Sequence, residues 1–306
     1  MKPFISIIIP NYNHAQFLEQ RITSILNQTY QNYEIIILDD NSSDNSVEVI
    51  DKFKTNIHVS QIILNESNSG STFKQWDKGF SLAKGEWIWI AESDDFCESD
   101  LLEKLVKAIE TDEKMVLAFS TSMLVDKEGK HLGYKNKIGK DIRIDGHDFV
   151  KRYMTMDNYL VNASSAIFRK NAIPQNTTYK EYKGAGDKLF WIEVALQGNI
   201  CIVRKALNYF RQHGNKVTPK RILDGTNFQE EYRTHVYLEE KGIISKMRSF
   251  VVKAFYCRII SQTKFNDEIL KNKLIGLWGG DKYLSFIPSF SAIVVRQLRK
   301  HFDYYI

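Results

Sequence analysis

Trp87-Ile88-Trp89-Ile90-Ala91-Glu92-Ser93-Asp94-Asp95 is the stretch whose reading decides the fold. Five apolar residues followed by a run of acids describe a buried strand that ends in carboxylates, placing hard oxygen ligands at the mouth of a sheet. Working outward, Glu34-Ile35-Ile36-Ile37-Leu38 also runs into acid, Asp39-Asp40, and Phe4 to Ile9 ends in Pro10-Asn11-Tyr12-Asn13. Three apolar runs that turn polar at the same end predict one ligand edge of a parallel sheet.

Between these runs the apolar spacing is helical. Phe17, Leu18, Ile22, Ile25 and Leu26 share one face, Val47, Val49, Ile50 and Phe53 another, and Leu101, Leu102, Leu105, Val106 and Ile109 a third. Further strands are expected at His58 to Leu64, Met115 to Val125, Ala163 to Phe168, Asn199 to Val203 and Ala206 to Gln212. Helices are expected at Thr72 to Lys84, with Gly85 as the stop, and at Asp187 to Leu196. Alternating strands and helices predict an α/β fold, a Rossmann-like, mostly parallel sheet flanked by helices, with a helical tail beyond Pro219.

The chain has 306 residues, 43% of them hydrophobic, enough for a large core. Its 3 cysteines, Cys97, Cys201 and Cys257, are odd in number, far apart and without metal spacing, and point to a reducing, cytoplasmic setting. No apolar run reaches the roughly 18 residues of a membrane span, and the first residues lack the layout of a signal peptide. The net charge of +5 is uneven: from Pro219 to Ile306 there are 15 Lys and Arg against 9 Asp and Glu, so the remaining residues carry no basic excess. That argues against nucleic acid as a partner of the main body.

Neither G-x-G-x-x-G nor G-x-x-x-x-G-K-[ST] is present, so the standard glycine cradles for phosphate are missing and a metal bridge is the economical way to hold a diphosphate. Four motifs in order, Ile7 to Asn13, Leu38 to Asp44, Ala83-Lys84-Gly85-Glu86-Trp87-Ile88 and Glu92-Ser93-Asp94-Asp95, resemble the inverting family 2 glycosyltransferases of the GT-A fold. The likeness continues more weakly through the Asp187 segment and Arg211 to Asn215, and does not cover the tail.

The resemblance implies a sugar moved from a nucleotide-diphosphate donor, a uridine one, to a hydroxyl of a bacterial surface glycan, with Mg²⁺ or Mn²⁺ as cofactor. It implies a donor-binding half over residues 1–125, an acceptor-binding half over 126–218 and a helical basic region over 219–306. Pro10 and Tyr12 would line the nucleoside pocket and Asp39 would accept from the base; beside an imide N–H a carboxylate selects uracil. Asp95 with Asp94 would hold the metal, and Glu92 stands where the family has the first Asp of its D-x-D. Asp187 would be the catalytic base, with Glu181 as rival. His213 would be a metal or phosphate ligand, and Lys74 a partner of the diphosphate. Trp76 reads either as a stacking platform or as core.

A nucleotidyltransferase also uses a metal at such an edge, but wants a glycine-rich basic loop where Pro10 to Ala15 stands. A silent nucleotide-sugar-binding or assembly subunit is the other alternative. In the tail, Phe250, Val251, Phe255, Ile259 and Ile260 lie among Lys246, Arg248, Lys253 and Arg258, and Phe286 to Val295 precedes Arg296, Arg299 and Lys300. Such faces fit either peripheral contact with the inner face of a membrane, suiting a lipid-linked acceptor, or packing on the protein or a second copy.

Overall fold

The computed structural model describes residues 2–110, 112–213, 221–265 and 267–284. Contacts divide the chain into two compact units, one of residues 1–145, 160–173 and 197–213, the other of 146–159, 174–196 and 214–306. The apolar and basic cluster from Phe286 onward lies outside the described residues.

The first unit is a 10-stranded sheet with order β3-β2-β1-β4-β9-β6-β10-β5, β7 joining β6 and β8 joining β10. Its parallel part is β1 (Ile5–Asn11), β2 (Tyr33–Asp39), β3 (Val59–Leu64) and β4 (Trp87–Ile90). Every residue of β1, β2 and β4 is buried, as continuous apolar runs must be when helices cover both faces. The helices between them are α1 (Ala15–Leu26), α2 (Ser46–Asp51) and α3 (Thr72–Leu82), with α4 (Leu101–Ile109) following the acidic run.

Pro10 lies buried in the central strand β1, where a missing N–H would ordinarily break a ladder. Pairing of β1 with β2 runs through Pro10 to Asn11, but pairing with β4, the side the Pro10 nitrogen faces, stops at Ile8, so no ladder donor is lost. Gly85 is required by close approach: a Cβ there would lie 2.6 Å from the Ser6 amide nitrogen. Its own N–H donates to Ser6 Oγ at 2.8 Å, and Ser6 donates to Glu34 Oε1 at 2.6 Å, tying the start of β4 to β1 and β2.

Beyond β4 the sheet is mixed. β5 (Phe96–Cys97) pairs antiparallel with β10 (Asn199–Arg211), and β6 (Met115–Val125) runs parallel to β10. β9 (Ala166–Arg169) enters antiparallel between β4 and β6. The edge pieces β7 (His131–Tyr134) and β8 (Ile142–Asp145) are mostly exposed and too short to be read from alternation.

Two expectations change in detail. The strand expected from Ala163 opens as a 3-10 turn, Ala163–Ser165, because its backbone bends to serve the acidic run. The two strands expected on either side of Arg204 are one, β10, with register shifts between Val203 and Ala206 that absorb the polar Arg204-Lys205 pair as a bulge.

The second unit begins with α5 (Gly146–Phe149) and holds α6 (Gly186–Ala195), α7 (Thr226–Glu240), α8 (Lys246–Gln262), α9 (Glu268–Leu277) and α10 (Asp281–Leu284). Phe228, Val252, Tyr256, Cys257, Ile260, Leu274, Ile275 and Trp278 form its buried core. Among the described residues, no helix is long and apolar enough to cross a membrane.

Candidate active site

The ends of β1, β2 and β4 meet as the sequence predicts. Asp39, 1% exposed, accepts from Asn11 Nδ2 at 2.7 Å, from the Ser42 amide at 2.9 Å and from Ser42 Oγ at 2.7 Å. These bonds leave lone-pair capacity on Oδ1 and fold the following loop back, with Asn13 and Asn41 both in the left-handed region at φ 56 and 61. Asp40, to which the sequence reading gave no role, accepts from Asn65 Nδ2, the Ser69 amide, Ser69 Oγ and Gln75 Nε2, and so shapes the segment leading into α3. Tyr12 is half exposed beside this floor. Lys74 is exposed and donates to the Ser69 carbonyl at 3.0 Å.

The acidic run separates its members. Asp94 Oδ2 lies 2.9 Å from His213 Nε2, and the His14 and His213 rings meet edge to face at 5.7 Å. One ligand atom from each of His14, Asp94 and His213 lies within 4.8 Å of the others. His14 Nδ1 is 2.8 Å from Ser93 Oγ. Burial lowers the His14 pKa, against the pull of Asp94. For Asp94, burial pushes upward but is outweighed by the His213 hydrogen bond and the charges of His14 and His213, so its carboxyl sits below the usual range.

Asp95, 1% exposed, turns the other way. Its Oδ2 accepts from Asn162 Nδ2 at 2.8 Å and Ser164 Oγ at 2.7 Å, and its Oδ1 from the Arg211 amide at 3.0 Å. Burial and the neighbouring Asp94 push its pKa up. Glu92 also stands outside the His14, Asp94 and His213 group: its Oε1 accepts from Trp76 Nε1 at 3.1 Å. Burial, then Asp94 and Asp95, raise the Glu92 pKa to about 8, so it is protonated at neutral pH. Trp76 is 3% exposed, which settles it as core with a polar tip.

Arg211 and Arg21 are the cations that sequence reasoning missed. Arg211 is buried; its Nε donates to the Asp94 carbonyl at 2.8 Å and its Nη2 to Gln20 Oε1 at 2.7 Å, while its guanidinium covers Phe17 at 4.5 Å. It locks the acidic loop to α1. Arg21 is fully buried, stacks on Trp89 at 5.0 Å, and its charge favours ionised Glu92 and Asp95. An arginine inside a helical apolar face gives no sequence signal of this kind.

In the second unit, Asp187 sits in the first turn of α6 and its Oδ2 accepts from Asn158 Nδ2 at 2.9 Å. Burial, with help from Glu231, raises its pKa to about 6. Glu181 is exposed and paired with Arg233 at 3.3 Å, a poorer environment for a base.

Residues 6–172 match the family described as glycosyl transferase family 2, and the chain belongs to it. Among curated relatives, glycosyltransferase GlyG of Streptococcus pneumoniae serotype 4 is 38% identical over 110 residues, 36% of this chain and 36% of that protein. Poly(ribitol-phosphate) beta-N-acetylglucosaminyltransferase TarP of Staphylococcus aureus is 28% identical over 214 residues, 67% of this chain and 62% of TarP. The match thus spans about a third of GlyG and less than two thirds of TarP. The crystal structure of S. aureus TarS 1-349 in complex with UDP-GlcNAc superposes with a TM-score of 0.72 at 17% identity, covering 97% of this chain and 87% of that one. The fold is thereby shared, sheet and flanking helices alike.

Proposed function

We propose that this glycosyltransferase moves a sugar from a UDP-sugar, of the N-acetylhexosamine kind, to a hydroxyl of a bacterial surface glycan, with inversion. The observation that carries the reading is the meeting of His14, Asp94 and His213 on the same unit as the Asn11, Asp39 and Ser42 floor. A nucleoside would lie on Pro10 and Tyr12 with its base toward Asp39, and its diphosphate toward Asp94 and Lys74. TarP and the UDP-GlcNAc-bound TarS support the donor class by likeness.

Two imidazoles and a carboxylate suit a first-row transition ion, and of the two ions the resemblance implies they fit Mn²⁺ better than Mg²⁺, which favours oxygen ligands alone. In this reading His14, Asp94 and His213 hold the ion, and Asp95 supports the loop rather than ligating. When bound, the ion supplies positive charge against the leaving diphosphate. Asp187 takes the proton of the acceptor hydroxyl as that oxygen bonds to the anomeric carbon and the bond from carbon to the phosphate oxygen breaks on the opposite face. A base with a pKa of about 6 is ionised at neutral pH and still strong enough to accept a proton. Cys97, Cys201 and Cys257, all free and buried, suit a reducing cytoplasm where nucleotide sugars are made. Contact of the helical region with a membrane-held acceptor or with a second copy belongs to the same proposal.

Calorimetry of UDP with and without Mn²⁺ tests it. Wild-type protein should bind UDP more tightly with the ion, and Asp94→Asn should lose that increment. An Asp94→Asn protein with undiminished Mn²⁺-dependent binding would overturn the reading.

A further inference from the structure

Asp187 is bracketed by two adjacent glutamates of α7, a helix of the basic C-terminal region that the family likeness does not reach. On one side, Glu230 is 5% exposed and its carboxylate accepts three successive backbone amides, Lys183 at 2.6 Å, Gly184 at 2.9 Å and Ala185 at 2.8 Å. These are the residues that lead into α6. On the other side, Glu231 Oε2 accepts from Lys188 Nζ at 2.5 Å and from Tyr256 Oη at 2.8 Å, and Lys188 is only 2% exposed. Gly184 is pressed so close to α7 that a Cβ would meet Asn227 Oδ1 at 1.9 Å.

Amides at the start of a helix seek an anion, and an aspartate in the first turn commonly folds back to supply it. Here an outside carboxylate answers the amides of 183–185. Asp187 itself takes Asn158 Nδ2 and the amides of Asp187 and Lys188 in the first turn of α6, so the two carboxylates divide the loop and the helix start between them. A buried glutamate that takes three amides also costs desolvation, which is offset only if the loop is held in one shape.

We propose that Glu230 and Glu231 are positioning residues for glycosyl transfer: Glu230 fixes the loop entering α6, Glu231 fixes Lys188, and together they hold the Asp187 carboxylate in one orientation. The proposal rests on the assignment of Asp187 as base. The charged groups facing Asp187 are Lys188 on its own helix and Glu231 on α7, with neutral Asn158 opposite.

The test uses the full chain with Mn²⁺ and measures UDP release from UDP-N-acetylglucosamine to water, alongside hydrogen exchange of residues 183–190. Asp187→Asn should lower turnover on the order of 10²- to 10⁴-fold with UDP affinity unchanged. Glu230→Ala should lower turnover by roughly 10²-fold, again at unchanged UDP affinity, and should lose exchange protection at 183–185. Glu230→Gln, which keeps one acceptor oxygen for Gly184 and Ala185, should recover part of both. Glu231→Gln removes a repelling charge and should move the acid limb of turnover to lower pH. If Asp187→Asn stays active, the base assignment falls and this proposal with it. If Asp187→Asn is inactive while folded Glu230→Ala keeps wild-type turnover and Glu231→Gln an unmoved acid limb, the proposal alone falls.

Discussion

Trp76 Nε1 donates to Glu92 Oε1 at 3.1 Å, so the first acid of the run is answered by an indole on α3. Its pKa of about 8 lies above the ordinary 4.5, so the folded state holds more protons than the unfolded state between those values. Glu92 therefore adds stability at pH 4.5 and below that is lost as pH rises through 8. Chemical denaturation of wild type and Glu92→Gln across this window should show wild type losing stability relative to the variant as pH rises. Mn²⁺ affinity of Glu92→Gln should stay within about threefold, since the group is neutral before any cation arrives. A loss beyond tenfold would make Glu92 a ligand after all.

Asp94 and Asp95 are adjacent yet face different partners, and their asparagine variants should separate. Asp94→Asn and His14→Ala should each weaken Mn²⁺-dependent UDP binding by roughly 10-fold or more with little change in melting temperature. Asp95→Asn should instead destabilise the fold by about 1–3 kcal/mol, because an amide cannot accept from all of Asn162, Ser164 and the Arg211 backbone. Equal melting temperatures for Asp95→Asn and wild type, with metal binding lost, would return the ligand role to Asp95.

The second unit buries a histidine whose protonation should oppose folding. His235 is 3% exposed, with Nε2 3.0 Å from Ser249 Oγ, and burial lowers its pKa to about 4 from 6.5. Between those values the unfolded state binds more protons, so stability is present above pH 6.5 and falls as pH drops toward 4. Glu239, held below its ordinary pKa by Ser249 and Lys253 despite burial, works in the same direction. Most of the loss over this range belongs to His235, and Glu239 adds to it only below its ordinary value of 4.5. His235→Phe should flatten the dependence; an unchanged slope would exonerate the histidine.

Much of this was legible because burial on both faces forces uninterrupted apolar strands, and their polar ends then mark one edge. Ile7 to Ile9, Ile35 to Leu38 and Trp87 to Ile90 carry that signal without ambiguity. What the pattern did not reveal depends on long-range pairing. His14 joins Asp94 only because α1 starts beside the acidic loop, and Arg211 reaches α1 across most of the chain. Asp94 and Asp95 look alike in sequence; Asn162, the bend at Ala163–Ser165 that delivers Ser164, and the Arg211 amide assign Asp95 to the interior. Glu230 lay in the tail, where no motif singled it out.

The tail prediction follows from that buried core. Val252, Tyr256, Cys257, Ile260, Leu274, Ile275 and Trp278 pack against Phe228 of α7, and Trp278 Nε1 donates to the Phe228 carbonyl at 3.1 Å. Removing residues 241–306 would strip α7 of this cover and expose large apolar side chains, each contributing about 1.5–3 kcal/mol when buried. The truncated chain should therefore aggregate or melt far below wild type, and the loss should reach Glu230 and the loop before Asp187. Basic residues near an anionic surface contribute on the order of 1 kcal/mol each, so any membrane contact of the intact chain should be salt-sensitive. Sedimentation with vesicles containing phosphatidylglycerol at low and high salt separates the roles. A truncated protein that stays soluble, folded and active would show that this core is dispensable, and one that also kept binding vesicles would place membrane contact on the sheet-bearing unit.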